Sequence, residues 1–202
     1  MATPKRATYQ DVLTAPPHKV TEVINGKLHV FPRPSLPHSL VASVLGTVVS
    51  MPFMHGRGGP GGWIILDEPE LHLAEDILVP DLAGWRRERL PTVDRVAYTT
   101  LAPDWLCEVL SPSTEKVDRS EKLAIYAAAG VRHVWLINPT IRTLEVLRLD
   151  DGKWVTLAVH CDDQEFRAEP FEALSLELAT LWVDLTPVTG GRVSEPAAVY
   201  LP

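Results

Sequence analysis

The sequence predicts a mixed α/β fold in which a central mixed β-sheet is flanked by helices. Short apolar runs bounded by turn residues are frequent along the chain and are typical of strands. In the middle of the chain, a strand at residues 105–110, a helix at 118–129 and a strand at 131–137 follow one another. A helical connection of this kind usually joins parallel strands through a right-handed crossover. We therefore expect parallel and antiparallel pairs in one sheet.

The first elements are predicted to be a short helix, a hairpin and a longer helix. Thr8 is a suitable N-cap for the short helix. Residues 19–31 carry apolar residues on both sides of Asn25-Gly26, a dipeptide that favours a type I′ hairpin turn. Residues 38–51 have apolar side chains at the three- and four-residue spacing of a helix.

The remaining strands follow from short apolar segments, and the clearest helix follows from its end signals. Asp118 is the predicted N-cap of the helix at 118–129, and Gly130 is the predicted C-terminal glycine. The charged segment 86–98 is predicted to be an exposed excursion. The strands are predicted at residues 63–66, 70–73, 77–85, 105–110 and 131–137, with further strands between 143 and 183.

We expect a single domain over residues 1–186, because no linker divides the chain and 46% of its 202 residues are hydrophobic. Residues 187–202 are small, polar and rich in glycine and proline, and we expect a loosely held tail there. The N-terminus lacks the apolar run of a signal peptide. No uncharged stretch is expected to span a membrane, so the prediction is a soluble, cytoplasmic protein.

The charge and the cysteines restrict the classes of function. The net charge of −7 does not favour nucleic-acid binding, although a local basic surface can coexist with a negative total. The two cysteines, Cys107 and Cys161, are far apart and have no zinc-ligand spacing. They indicate a reduced protein in which cysteine contributes to packing.

Two carboxylates lie in apolar, strand-like segments, where a charge has no role in packing. They are Asp81 and Glu108, and the side chain of Glu108 shares one strand face with Leu106 and Leu110. A carboxylate removed from water is costly unless it is paired or binds a cation. The two acids therefore predict a metal site.

Lys122 lies on the helix that follows Glu108, on a half-apolar face. Each of the three residues has a simpler explanation when taken alone. Asp81 could belong to a turn, Glu108 could pair with an arginine at a strand end, and Lys122 could be a solvated partner of Asp118. Together they favour metal-assisted phosphodiester hydrolysis, in which two carboxylates hold Mg²⁺ and a lysine positions water or stabilises negative charge.

The surrounding residues carry a family resemblance. They are EVLSPST at 108–114, DR at 118–119, EKL at 121–123, Tyr126, AGV at 129–131 and WLINP at 135–139, together with VPDL at 79–82. With these residues the chain resembles the Uma-type putative restriction endonuclease family of the PD-(D/E)XK nuclease superfamily. The similarity runs from about residue 22 to residue 139.

The resemblance implies a restriction-endonuclease-like fold with Asp81, Glu108 and Lys122 as catalytic residues. Leu110 stands where the E-x-K pattern would place a lysine, so the role passes to Lys122 on the adjacent helix. The implied metal ligands are Asp81, Glu108 and the carbonyl of Val109, with Glu70 as an additional ligand. Glu22, His38 and Tyr126 are expected to line the same cleft.

The implied function is that of a Mg²⁺-dependent DNA endonuclease, with Mn²⁺ as a possible substitute and a homodimer expected by analogy with the fold. Two alternatives remain open at this point. The first is a catalytically silent binding or regulatory protein that keeps the nuclease fold. The second is a metal-dependent phosphodiesterase that acts on RNA or on another phosphoester.

Overall fold

A computed structural model of the chain describes residues 6–93 and 95–185, and the backbone of Val199–Tyr200. The helices are α1 (Tyr9–Thr14), α2 (Leu36–Val49), α3 (Glu115–Val117) and α4 (Leu123–Ala128). The strands of the first half are β1 (Val20–Ile24), β2 (Lys27–Phe31), β3 (Trp63–Asp67), β4 (Glu70–Leu73), β5 (Asp76–Leu78), β6 (Leu82–Arg86) and β7 (Tyr98–Thr99). Those of the second half are β8 (Trp105–Val109), β9 (His133–Asn138), β10 (Thr143–Asp150), β11 (Lys153–Cys161), β12 (Glu165–Phe166), β13 (Leu176–Glu177) and β14 (Val199–Tyr200).

The central sheet has the strand order β11-β10-β9-β8-β6-β3. Strands β8 and β9 are parallel, and their neighbours in this sheet pair antiparallel. This arrangement confirms the mixed sheet and the parallel pair that the strand–helix–strand pattern predicts. A second sheet has the order β14-β2-β1-β5-β4-β7, which the sequence did not separate from the first.

The alternation of side chains in β8 divides the core into two layers. Cys107 and Val109 lie in the layer that contains α2, whereas Leu106 lies in the layer that contains α4 and part of the second sheet. Glu108 shares the face of Leu106, and it is only 3% exposed. The strand therefore directs this carboxylate into the apolar layer between the central sheet and the helix, as the sequence predicts.

The predicted strand at 77–85 is two strands in the structure. β5 ends at Leu78 in the second sheet, and β6 begins at Leu82 in the central sheet. Between them Pro80 has no N–H to donate to a ladder, so the chain leaves one sheet and joins the other at this point. Asp81 consequently lies beside the end of β8.

The predicted start of the long helix is also wrong. The helix begins at Glu115, after Thr114, and continues through a π-helical turn at Asp118–Lys122 into α4. The N-terminus of the helix is thus formed by the turn at Glu115, and Asp118 lies inside the helix instead of capping it. Its side chain is buried. Gly130, with φ of +78°, lies directly after the helix as predicted.

The helical segment Leu36–Met54 has 19 residues and is long and apolar enough, by length and composition, to cross a membrane. This corrects the expectation that no uncharged stretch approaches that length. A core helix of a globular domain passes the same test. Val41, Leu45 and Val49 of this segment are buried against the central sheet.

The predicted tail at 187–202 lies outside the described residues, except for the backbone of Val199–Tyr200. That backbone pairs antiparallel with β2, with Val199 opposite Val30. The division into a domain at 1–186 and a loosely held tail stays a prediction.

Candidate active site

A cavity opens where β1 of the second sheet, the ends of β6 and β8, and the helical turn after α3 meet. Within the described part of the chain its lining contains five carboxylates, which are Glu22, Glu68, Asp81, Glu108 and Asp118. The basic residues of the same lining, again among the described residues, are Arg33, His38 and Lys122. The cavity therefore contains more acidic than basic side chains, and its chemistry depends on how the excess negative charge is balanced.

Lys122 lies at the centre of the buried part of this group. Its Nζ is 2.8 Å from Oε1 of Glu108, 3.1 Å from Oε1 of Glu22 and 3.4 Å from Oδ1 of Asp118. All four side chains are at most 5% exposed. One ammonium group therefore contacts three carboxylates in a region that is almost inaccessible to solvent.

Glu108 is held from two sides. Tyr126 donates its hydroxyl to Oε1 of Glu108 over 2.6 Å, and Lys122 contacts the same oxygen. Tyr126 itself is fully buried beneath the carboxylate. It was expected to line the cleft, but it is absent from the cavity lining among the described residues and instead supports Glu108 from below.

Asp81 is held by a backbone group and a histidine. The N–H of Val109 donates to Oδ2 of Asp81 over 2.6 Å, and Nε2 of His38 lies 3.3 Å from Oδ1. His38 reaches the site from the first turn of α2. The two predicted metal-binding acids, one just before β6 and the other on β8, are therefore connected through the residue that follows Glu108.

Glu22 connects the lysine to the segment that precedes Asp81. Its Oε1 accepts the N–H of Val79 over 2.6 Å and also contacts Lys122. The hairpin β1–β2 brings Glu22 to this point, and Asn25 and Gly26 make its turn with φ of 52° and 75°. Glu22 was expected in the cleft, and the structure places it there.

The electrostatics of the cluster follow from one positive charge among three buried acids. Burial raises the pKa of Glu108 well above its ordinary value, and it also raises the pKa of Glu22 and of Asp118. Burial by itself would lower the pKa of Lys122. The attraction of Glu108 and Glu22 outweighs that effect, so the pKa of Lys122 lies well above its ordinary value. The amine is therefore held as an ammonium ion.

Hard oxygen donors are available for a divalent cation. Asp81, Glu108 and Val109 line the same cavity. The N–H and C=O of a strand residue point to the same edge, so the Val109 carbonyl faces the side of Asp81. Within residues 6–93 and 95–185, no three His, Cys, Asp or Glu side chains are grouped to hold a metal by themselves. These donors fit a cation that keeps several waters, as Mg²⁺ does.

Glu70 is not part of this group. Its Oε1 is 2.8 Å from Nε2 of His72, and it lines a different cavity together with Trp85 and Tyr98. Its assignment as an additional metal ligand is wrong, because β4 places it next to β7 in the second sheet.

Two acids of the cavity were not predicted to belong to the site. Asp118 was assigned to the helix end and to a solvated ion pair with Lys122, whereas the structure buries both side chains of that pair in the cavity. Glu68 lies in the turn between β3 and β4 with φ of +44°; it belongs to the segment Asp67-Glu68-Pro69-Glu70 that resembles the family, but no role was predicted for it.

The mixed sheet and its helices have the restriction-endonuclease-like fold, a class of nuclease folds, and the chain carries one acid just before β6, one near the end of β8 and a lysine on the following helix. The chain belongs to the Uma2 family, which is described as "Putative restriction endonuclease" and whose sequence model matches residues 7–180. This confirms the resemblance found in the sequence. Family membership supports a nuclease function.

The fold is also similar to a solved structure. It is the crystal structure described as that of a putative nuclease belonging to DUF820 from Anabaena variabilis ATCC 29413. The TM-score is 0.71 at 23% sequence identity, and the similarity covers 88% of this chain and 98% of the other. At this identity the likeness is one of fold. A search of curated proteins found no match.

Proposed function

We propose that this protein is a Mg²⁺-dependent endonuclease that hydrolyses phosphodiester bonds in DNA. The observation that carries the proposal is the convergence of Asp81, Glu108 and Lys122 on one cavity, with Lys122 Nζ 2.8 Å from Glu108 Oε1. The description of the Uma2 family supports a nuclease and suggests DNA as the substrate.

Asp81, Glu108 and the carbonyl of Val109 would hold the cation. When bound there, Mg²⁺, or Mn²⁺ in its place, would supply an acidified water molecule and would neutralise charge on the phosphate. The excess of buried carboxylates over cations supports this role, because a phosphate anion would otherwise be repelled from the cavity.

Lys122 would stabilise the negative charge that develops on the phosphate oxygens. A lysine in such a site could instead accept a proton from water. The raised pKa of Lys122 supports the first role, because an ammonium ion that is held protonated cannot act as a base at neutral pH. Tyr126 and Glu22 would act as positioning residues for Glu108 and Lys122.

A plasmid-nicking assay tests the proposal. Supercoiled DNA is incubated with the purified protein in Mg²⁺, in Mn²⁺ and in EDTA, and the nicked and linear products are quantified. We expect cleavage by the wild type in either metal, and loss of cleavage in EDTA and in Glu108→Gln.

Glu70→Gln is the matched control, because Glu70 is a partly buried glutamate on the second sheet that lies outside the cavity. It should cleave like the wild type. Cleavage by Glu108→Gln at the wild-type rate would contradict the proposal, and so would preferential cleavage of RNA in a parallel substrate panel.

A second candidate is a nuclease-fold binding protein without turnover. The observation that favours it is the ion pair of Lys122 with Glu108, which already neutralises one proposed ligand. DNA binding without cleavage in any divalent metal would support this candidate against the first.

We also propose a homodimer, by analogy with nucleases of this fold that cut both strands. Sedimentation velocity at several protein concentrations tests this assembly. A monomer at all concentrations would contradict it.

A further inference from the structure

We infer that Arg33 binds a backbone phosphate of the DNA substrate at the mouth of the acidic cavity. The inference rests on the proposed endonuclease function and concerns how a polyanion can approach a site whose lining is mostly acidic. Three observations support it: the position of Arg33, its lack of an ion-pair partner among the described residues, and the stiffness of its segment.

Arg33 and Lys122 are the lysine and arginine residues of the cavity lining within the described part of the chain. Lys122 is buried, and its charge is shared among three carboxylates. Arg33 is exposed, and it forms no ion pair with another residue of 6–93 or 95–185. Its guanidinium group is therefore the cation of the lining that remains available to an incoming anion.

The backbone around Arg33 favours a fixed position. The segment Pro32-Arg33-Pro34-Ser35 connects β2 to α2, and all four residues line the cavity. The rings of Pro32 and Pro34 fix their own φ angles, and Pro34 also restricts Arg33 to extended conformations. The guanidinium group of Arg33 therefore extends from a stiff connector, so little backbone entropy is lost when Arg33 binds a phosphate.

The chemistry of the guanidinium group fits a phosphate. Arginine is always charged and presents several N–H donors in a planar fork that matches phosphate oxygens. A contact to the sugar-phosphate backbone carries no base information, so it should position the strand without choosing its sequence. Arg33 is therefore a substrate-positioning residue, distinct from the groups that surround the reacting phosphate.

Fluorescence anisotropy with a labelled DNA duplex tests the inference. The measurement is made with the Glu108→Gln protein in Mg²⁺, so that the duplex is not cleaved. This protein is compared with versions that also carry Arg33→Ala, Arg33→Lys or Arg132→Ala. Arg132 is an exposed arginine before β9, at the opposite end of β8 and β9 from Glu108, and it serves as the matched control.

We expect Arg33→Ala to weaken binding equally for duplexes of different sequence. The slope of log affinity against log salt should become shallower by about one, so that the affinity loss between about 50 and 200 mM salt shrinks by about fourfold. Arg33→Lys should keep most of the slope because it keeps the charge. Arg132→Ala should leave both affinity and slope unchanged.

An unchanged slope in Arg33→Ala would overturn the inference, and so would an equal effect of Arg132→Ala. Loss of all DNA binding in the Glu108→Gln background would overturn it as well. The nicking assay on the wild type decides separately whether the proposed endonuclease function stands. If the wild type nicks DNA and the Arg33→Ala variant binds DNA normally, only the inference about Arg33 is overturned.

Discussion

Val109 donates its backbone N–H to Oδ2 of Asp81 over 2.6 Å. Val109 directly follows Glu108, so this bond fixes the position of one acid relative to the other. Because the acceptor is a carboxylate, the bond is of the stronger, charge-assisted kind. The relative placement of the two proposed metal ligands therefore depends on a backbone contact as well as on side-chain packing.

Asp81→Asn should separate the structural role of Asp81 from its charge. The asparagine oxygen can still accept the Val109 N–H, so we expect the free energy of unfolding to change by about 1 kcal/mol at most. DNA cleavage should fall on the order of 100-fold, because one charge of the site is lost. Urea unfolding and the nicking assay measure the two effects. Wild-type cleavage by this variant would exclude Asp81 as a ligand.

Calorimetry tests the metal site without a substrate. We expect the wild type to bind Mn²⁺ or Mg²⁺ with a measurable heat that Glu108→Ala loses, because the variant removes a hard oxygen donor from the cavity. Glu70→Gln should retain the heat, since Glu70 contacts His72 in the second sheet. Equal heats in the wild type and Glu108→Ala would place the binding site elsewhere.

Lys122→Met should be strongly destabilising. It removes the ammonium group from three buried carboxylates, and breaking a buried ion pair in this way costs about 3–5 kcal/mol. Lys116→Met is the comparison, because Lys116 is exposed on the same helix. Its unfolding free energy should change by less than about 0.5 kcal/mol. Similar stability of the two variants in urea would refute the buried cluster.

The stability of the wild type relative to Glu22→Gln should depend on pH. Burial raises the pKa of Glu22 above its ordinary value of 4.5, more than Lys122 and the Val79 N–H lower it. The folded protein then binds the proton more tightly than the unfolded chain, so this contribution favours folding at low pH. It is lost as the pH rises from the unfolded pKa through the folded pKa.

Glutamine does not titrate, so the variant should gain stability relative to the wild type as the pH rises from about 4 to about 7. Urea unfolding of both proteins at several pH values measures the difference. A difference in unfolding free energy that stays constant with pH, or that increasingly favours the wild type as the pH rises, would contradict the raised pKa of Glu22.

Local patterns were sufficient for several parts of the site. The Asn25-Gly26 turn predicted the hairpin that carries Glu22, because both positions need positive φ. The alternation in β8 predicted that Glu108 faces the same layer as Leu106, and helical spacing placed Lys122 with Tyr126 on one face. Each of these features depends on residues close together in the chain.

The positions of residues that depend on contacts between distant segments could not be predicted from such local patterns. Glu70 was selected because it resembled a ligand of the family, but the pairing of β4 with β7 takes it to another cavity. Asp118 was assigned a capping role, because the earlier start of the helix at Glu115 could not be read from its capping signals. Which side of a strand or helix meets which neighbour is decided by distant segments.

The amino-acid sequence alone determined the order of the elements, the faces of β8 and the helix after it, and the family of the chain. These depend on periodicities of two and 3.6 residues and on motifs that are local in the chain. Only the tertiary structure decided that Glu22, Glu108 and Asp118 share one lysine, and that the exposed Arg33 lines the same cavity. The physical reason is that burial, and the charge balance that it enforces, arise when segments far apart in sequence exclude water together.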